Sequence, residues 1–178
     1  MKTFFREFLI TIVVAAIICF AFQAALQTFI IHMSSMEPSF YEGQRLLVNK
    51  ASYFFSDPER GDVIIFVAPK AQGEDYIKRI IALPGDTVEI KNEVVYVNGA
   101  DLDEPYIKAS PQYTMKEQEI PENSYFVLGD NRNNSNDSHH GWLVPQANII
   151  GKAWLFIWPP KEWATVPKYY LAEQLTGF

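Results

Sequence analysis

The sequence predicts a mainly β protein, an antiparallel sandwich- or barrel-like body preceded by one transmembrane helix. One uncharged and nearly all apolar run extends from Phe8 to Ile31. After His32 the chain shows short β-branched and aromatic runs separated by turn residues, without helical periodicity. These runs do not alternate with helices, which favours an antiparallel fold over a parallel α/β sheet. With 178 residues, 48% of them hydrophobic, the chain suffices for one domain or two small ones.

The apolar run is predicted to be an uncleaved membrane anchor. Roughly 24 helical residues rising about 1.5 Å each exceed a hydrocarbon core of about 30 Å. A cleaved signal peptide has a shorter apolar region, about 7–15 residues, followed by a small-x-small site that is not found here. Lys2 and Arg6 precede the run and the next basic residue is Arg45, so the positive-inside rule places the N-terminus in the cytoplasm. The predicted division is a cytoplasmic segment 1–7, an anchor 8–31 and an extracytoplasmic domain 32–178, as in a single-pass plasma-membrane protein.

Seven runs are predicted to be strands because they are short and rich in β-branched and aromatic residues. Two turn signals separate neighbouring runs, Pro84-Gly85-Asp86 and the tight-turn dipeptide Asn98-Gly99. Residues 87–122 are more charged than their flanks and are expected to form a small β-ribbon subdomain. The predicted strands are Arg45–Asn49, Asp62–Val67, Tyr76–Ala82, Thr87–Ile90, Val94–Val97, Ser124–Leu128 and Ile150–Trp158.

All four tryptophans lie in the last quarter of the chain. Trp142, Trp154, Trp158 and Trp163 either belong to the core or meet the headgroup layer of the bilayer, where amphipathic aromatic side chains settle. The sequence leaves both interpretations open.

Composition excludes several functional classes. The chain has 15 Lys and Arg against 21 Asp and Glu, so its net charge of −6 repels phosphate backbones and no nucleic-acid partner is expected. Cys19 is the single cysteine, which excludes an intramolecular disulfide and a cysteine-built zinc site. Adjacent His139 and His140 cannot easily present two ligands to one metal, and no glycine-rich nucleotide motif occurs. We therefore expect no metal and no other cofactor.

Lys78 has an unusual predicted environment. Strand alternation places it on one face with Ile80 and Ala82, while Arg79 points to the other side. A charged lysine on an apolar face is costly, so its pKa should fall from about 10.4 toward neutrality. A neutral lysine beside a serine hydroxyl can take the hydroxyl proton and activate the serine as a nucleophile. A structural lysine whose ammonium group reaches water remains the alternative.

Four segments contain most of the residues suited to chemistry. They are Ser34–Ser39 (SSMEPS), Arg60–Phe66 (RGDVIIF), Tyr76–Asp86 (YIKRIIALPGD) and Gly129–Ser138 (GDNRNNSNDS). In their order along the chain and in their residues, these segments resemble those of the type I signal peptidases, membrane-bound serine proteases that remove signal peptides from exported proteins. The resemblance covers roughly residues 32–160 and fits the single preceding anchor.

The resemblance implies an endopeptidase that uses Ser35 as nucleophile and Lys78 as general base, with Ser135 orienting the lysine. It implies signal peptides of exported preproteins as substrates, cut at small-x-small sites held in shallow apolar pockets. It implies no cofactor and leaves the oligomeric state open. The polar scaffold would be Asp130, Arg132 and Asp137, with Arg79 able to pair with Asp130, and the substrate contacts would be Ile31, Met33, Met36 and Ile77.

Two positions depart from the family pattern. Met33 stands two residues before Ser35, where a hydroxyl or a glycine is common, so a candidate oxyanion donor is missing. We expect the backbone to replace it, because Ser34 in an extended segment would face away from the site. His139 stands two residues after Asp137, where an arginine is usual, which weakens an expected ion pair.

Two rival functions remain at this stage. The first is a catalytically silent, membrane-tethered assembly chaperone, against which the presence of both Ser35 and Lys78 argues. The second is a Ser–His–Asp protease that uses His139 or His140 with Asp137, since such triads do not depend on chain order.

Overall fold

A computed structural model describes residues 2–69, 73–171 and 173–175 of the chain. The helices are α1 (Lys2–Ala25) and α2 (Ser52–Phe55), with 3₁₀ turns at Ser138–His140, Gln146–Asn148, Pro160–Glu162 and Glu173–Leu175. The strands are β1 (Leu26–Ile30), β2 (Arg45–Asn49), β3 (Val63–Val67), β4 (Asp75–Ala82), β5 (Thr87–Lys91), β6 (Val94–Val97), β7 (Ala100–Asp101), β8 (Met115–Glu119), β9 (Ser124–Leu128), β10 (Val144–Pro145), β11 (Ile149–Trp158) and β12 (Ala164–Thr165).

The mainly β, antiparallel fold predicted from the sequence is confirmed. One sheet has the strand order β1-β2-β11-β3-β4-β9-β10, with β12 added beside β11. A second sheet has the order β7-β6-β5-β8, and the described pairs in both sheets are antiparallel. Each of the seven predicted strands is present with both ends within one residue of the expected position. The strands missed by the sequence include β8, whose polar sequence MKEQE suits an exposed edge strand.

The helix α1 ends earlier than the apolar run predicted. Of the described residues, Phe4–Ala25 form the one helix that is long and apolar enough to cross a membrane. Its 22 residues span roughly 33 Å, sufficient for a hydrocarbon core of about 30 Å. Leu26–Ile30 instead form β1, paired along its whole length with β2, and Lys50 N–H donates to the carbonyl of Ala25 at 2.8 Å. These apolar residues therefore form an edge strand of the sheet and do not continue the helix.

The second sheet contains most of the charged region that follows the turn at Gly85. Gly85 has φ of 81°, and Asn98 and Gly99 have φ of 53° and 80°, which suits the tight turn between β6 and β7. One hydrophobic cluster joins this sheet to the first, because Val88 and Ile90 of β5 are buried together with Phe126 of β9. The small sheet is therefore packed onto the end of the large one.

The tryptophans do not form a common core cluster. Trp142 is buried beside Phe66 in the hydrophobic core. Trp154, Trp158 and Trp163 are 45%, 50% and 69% exposed. The core interpretation is therefore correct for Trp142 and wrong for the other three.

Candidate active site

Ser35 and Lys78 lie in direct contact. Ser35 occupies a turn over residues 35–39 that follows β1, and Lys78 lies in β4. The lysine Nζ donates to the serine Oγ at 2.7 Å and to the carbonyl of Ile77 at 2.9 Å. The two residues are 6% and 1% exposed, so the contact is shielded from bulk water.

Burial changes the protonation of Lys78. Desolvation lowers the pKa of its amine to about 8, although the carboxylates of Asp137 and Asp130 act in the opposite direction. An amine with a pKa near 8 has a substantial neutral fraction at mildly alkaline pH. This arrangement can accept a proton from Ser35, as nucleophilic activation requires.

The Gly129–Ser138 segment holds the Ser35 turn in place. Asn131 donates its backbone N–H to the carbonyl of Ser35 at 3.0 Å and its side-chain amide to the carbonyl of Ser34 at 3.1 Å. A side chain at Gly129 would collide with the Ser35 carbonyl and with the hydroxyl of Ser135, so glycine permits this close approach. The Ser35 turn is thus held in place by a neighbouring loop.

Ser135 lines the cavity that contains Ser35 and Lys78, but it is not hydrogen-bonded to Lys78. Its Oγ is buried and has no hydrogen-bond partner among the described residues. The orienting role expected for this hydroxyl therefore stays a prediction.

Two buried ion pairs form the polar scaffold around this loop. Arg79 donates from Nε and Nη2 to both oxygens of Asp130, at 2.9 and 2.6 Å. Arg132 donates to the carbonyl of Gly129 and, through Nη1 and Nη2, to both oxygens of Glu104, at 2.6 and 2.7 Å. Glu104 is a scaffold residue that the sequence did not indicate, because it lies far from the four segments and no motif marks it.

Asp137 contacts the loop and a histidine. Its Oδ2 accepts the backbone N–H of Gly129 at 2.9 Å, and its Oδ1 lies 2.6 Å from His139 Nδ1. The histidine at the position usually held by arginine therefore keeps a polar contact with Asp137. No described hydrogen bond joins Ser35 to His139 or His140, which does not favour a Ser–His–Asp triad.

The expected substrate contacts separate into two groups. Met33 is exposed and lines both a cavity of about 660 Å³ at Ser35 and Lys78 and a neighbouring cavity of about 320 Å³. Ile77 lines the smaller cavity. Ile31 and Met36 are buried in the hydrophobic core, so their side chains do not reach a surface that substrate could contact in this conformation.

Ser34 does not face away from the site as expected. It lines the larger cavity, and its Oγ accepts a hydrogen bond from the side-chain amide of Asn134 at 3.1 Å. The alternation argument is wrong here because the chain turns at residues 35–39 and is not extended.

Comparison with known proteins identifies the family. A family model described as signal peptidase, peptidase S26, matches residues 2–158. The chain belongs to this family. Members are serine endopeptidases, and so is this protein.

Individual members of the peptidase S26 family are similar over much of the chain. A probable signal peptidase I-1 of Synechocystis sp. is 46% identical over 142 residues, which cover 76% of this chain and 72% of that protein. Signal peptidase IB of Staphylococcus aureus is 37% identical over 181 residues, 91% of this chain and 94% of that protein. A crystal structure of a signal peptidase I from Enterococcus faecalis is 35% identical, with a TM-score of 0.48, and covers 55% of this chain and 97% of that chain.

The Arg132–Glu104 pair yields a prediction about stability. Glu104→Gln removes the charge that compensates the buried guanidinium, and such a loss typically costs about 3–5 kcal/mol in the free energy of unfolding. We expect a markedly lower Tm for the full chain in detergent, measured by circular dichroism. Glu117→Gln is the matched control, because Glu117 is exposed, and it should change stability by less than about 0.5 kcal/mol. Equal Tm values for the two variants would contradict the prediction.

Proposed function

We propose that the protein removes N-terminal signal peptides from exported preproteins, with Ser35 as nucleophile and Lys78 as general base. The observation that carries the proposal is the 2.7 Å contact between Lys78 Nζ and Ser35 Oγ in a buried site. The Ser35 hydroxyl attacks the scissile carbonyl and Lys78 accepts its proton. Lys78 then returns the proton to the leaving amine, and water hydrolyses the acyl-enzyme.

The developing oxyanion has a candidate donor in the backbone. Within the described residues, the N–H of Ser35 has no hydrogen-bond acceptor, so it is free to bind the oxyanion. Met33 cannot donate from its thioether. We assign the second donor to another backbone N–H of the turn rather than to the Ser34 hydroxyl, which is engaged by Asn134.

The open edge of β4 supports recognition of an extended peptide. Residues 75–78 of β4 pair with β3 on one side, and the described pairing with β9 on the other side begins at Arg79. An extended substrate segment can add to the free edge by main-chain hydrogen bonds, leading its scissile bond to Lys78. The neighbouring cavity beside Ile77, lined also by Phe29 and Met33, would receive side chains near the cut, which we expect to be small as at small-x-small cleavage sites.

The helix α1 would keep this site at the bilayer surface. With Lys2 and Arg6 on the cytoplasmic side, the catalytic body lies on the extracytoplasmic side of the plasma membrane. The apolar segment of a signal peptide resides in the same bilayer, which raises the local substrate concentration without any new contact.

The proposed reaction is tested by incubating the full chain with a synthetic preprotein and determining the product masses. A single cut after a small side chain at the end of the signal sequence is expected. Intact preprotein, or cuts scattered through the mature region, would contradict the proposal.

The pKa of Lys78 predicts the pH dependence of catalysis. The base acts as the neutral amine, so kcat/KM should rise with pH through about 8 and then level off. Lys78→Arg should be inactive, because a guanidinium does not lose its proton in proteins. The comparison variants are His139→Ala and His140→Ala, which should retain activity where Lys78→Ala does not. Inactivity of a histidine variant that still folds, alongside an active Lys78→Ala, would favour the triad instead.

The assignment of the oxyanion donors predicts a small effect of Ser34. If the backbone donates, Ser34→Ala lowers kcat by less than about threefold, far below the usual loss of about 10²–10³ for a missing donor. Met33→Ser should raise kcat or leave it unchanged. Steady-state kinetics on the synthetic preprotein measures both, and an about hundredfold loss in a folded Ser34→Ala protein would assign the role to that hydroxyl.

The exposed tryptophans predict contact with lipid. Trp154, Trp158 and Trp163 are exposed, and interfacial bilayer regions favour such side chains. A chain lacking residues 1–24, which keeps β1, should show a blue shift of tryptophan fluorescence on addition of lipid vesicles. Trp142→Phe should preserve the shift because Trp142 is already buried. An unchanged spectrum at saturating lipid would contradict contact of the exposed tryptophans with lipid.

A further inference from the structure

Asp137, His139 and His140 bring three potential metal ligands together beside the cavity. One ligand atom from each residue lies within 4.8 Å of the other two. The rings of His139 and His140, at the end of the 3₁₀ turn Ser138–His140, lie close together with centroids 3.8 Å apart. The sequence led us to expect that adjacent histidines cannot easily present two ligands to one metal. In the structure, however, ligand atoms of both histidines lie within 4.8 Å of each other.

The cluster is preorganised on two sides. The ring of Tyr113 stacks on that of His139 with centroids 4.0 Å apart, and Asp137 Oδ1 lies 2.6 Å from His139 Nδ1. Asp137 is fully buried and anchored by the Gly129 N–H, whereas the side chain of His140 is exposed. Asp137 and His139 are therefore positioned by neighbouring groups, and the exposed His140 is free to adjust.

We propose that Asp137, His139 and His140 form an inhibitory binding site for a divalent transition-metal cation of the zinc type. Two imidazoles and one carboxylate with an open fourth position, filled by water, are a donor set that zinc accepts. The donors of one zinc ion lie about 3–4 Å apart, so His139 Nδ1 and Asp137 Oδ1, now 2.6 Å apart, must separate slightly and the exposed His140 must close in around the ion. The metal takes the place of the proton between His139 Nδ1 and Asp137 Oδ1, and that proton leaves to solvent.

The position of the cluster explains why binding would inhibit. His140 lines the cavity that contains Ser35 and Lys78, so the metal and its water occupy the rim of the cleft. Asp137 also fixes Gly129, which packs against the Ser35 carbonyl. Drawing the carboxylate toward a cation therefore shifts the loop that holds the nucleophile turn.

The kinetic test uses the full chain in detergent, zinc chloride as the probe and cleavage of the synthetic preprotein as the readout. Micromolar zinc should lower kcat/KM, and magnesium, which prefers oxygen ligands, should not. In His140→Gln the zinc concentration for half-inhibition should rise at least about tenfold relative to the variant's own zinc-free rate. His32→Gln is the matched control, since His32 lines the same cavity outside the cluster, and it should keep the wild-type sensitivity.

A binding measurement separates this inference from the proposed function, on which the inhibition depends. Isothermal titration calorimetry of the full chain with zinc should show one site that is lost in His140→Gln and retained in the inactive variant Ser35→Ala. Cobalt(II) in place of zinc should give the visible absorption of a four-coordinate site in the wild type but not in His140→Gln. Absence of binding to the wild type, equal binding to His140→Gln, or loss of binding in His32→Gln would each overturn the proposal.

Discussion

The burial of Lys78 against Ser35 is the constraint on which the rest of the structure depends. An amine so far removed from water loses part of its affinity for a proton, and this lowers its pKa to about 8. The apolar strands around β4 create that environment, while the turn at Ser35 presents the hydroxyl within 2.7 Å. A lysine on an exposed loop would lack this desolvation and keep a pKa close to its ordinary value.

The other buried charges near Lys78 are compensated by ion pairs. Within each of the bidentate pairs Arg79–Asp130 and Arg132–Glu104 the two charges compensate each other, so neither buried guanidinium is left unpaired. The Tyr106 ring lies 4.2 Å from the Arg79 guanidinium and fills the space between the two pairs. Arg132 belongs to the loop that holds the Ser35 turn, so its pair with Glu104 links the region after β7 to that turn.

The path of the chain places this chemistry at the base of a membrane helix. Since α1 leads directly into β1, and β1 borders the cavity beside the open edge of β4, anchor and cleft are joined by a few residues of paired strand. A mobile linker is absent from this described stretch, so the cleft has a defined position relative to the helix end. The cleft therefore lies close to the end of the helix that is apolar enough to cross a membrane.

The sequence by itself determined the fold class, the seven main strands and the segments that meet at the site. Strand periodicity, turn residues and motif sequences are local properties of the chain, so they can be read without the tertiary structure. The tertiary structure alone decided which side chains touch. It revealed Glu104 as the partner of Arg132, β1 as a strand within the apolar run, and the burial of Ile31 and Met36. These features depend on sheet pairing and packing between residues distant in the chain, which no local pattern encodes.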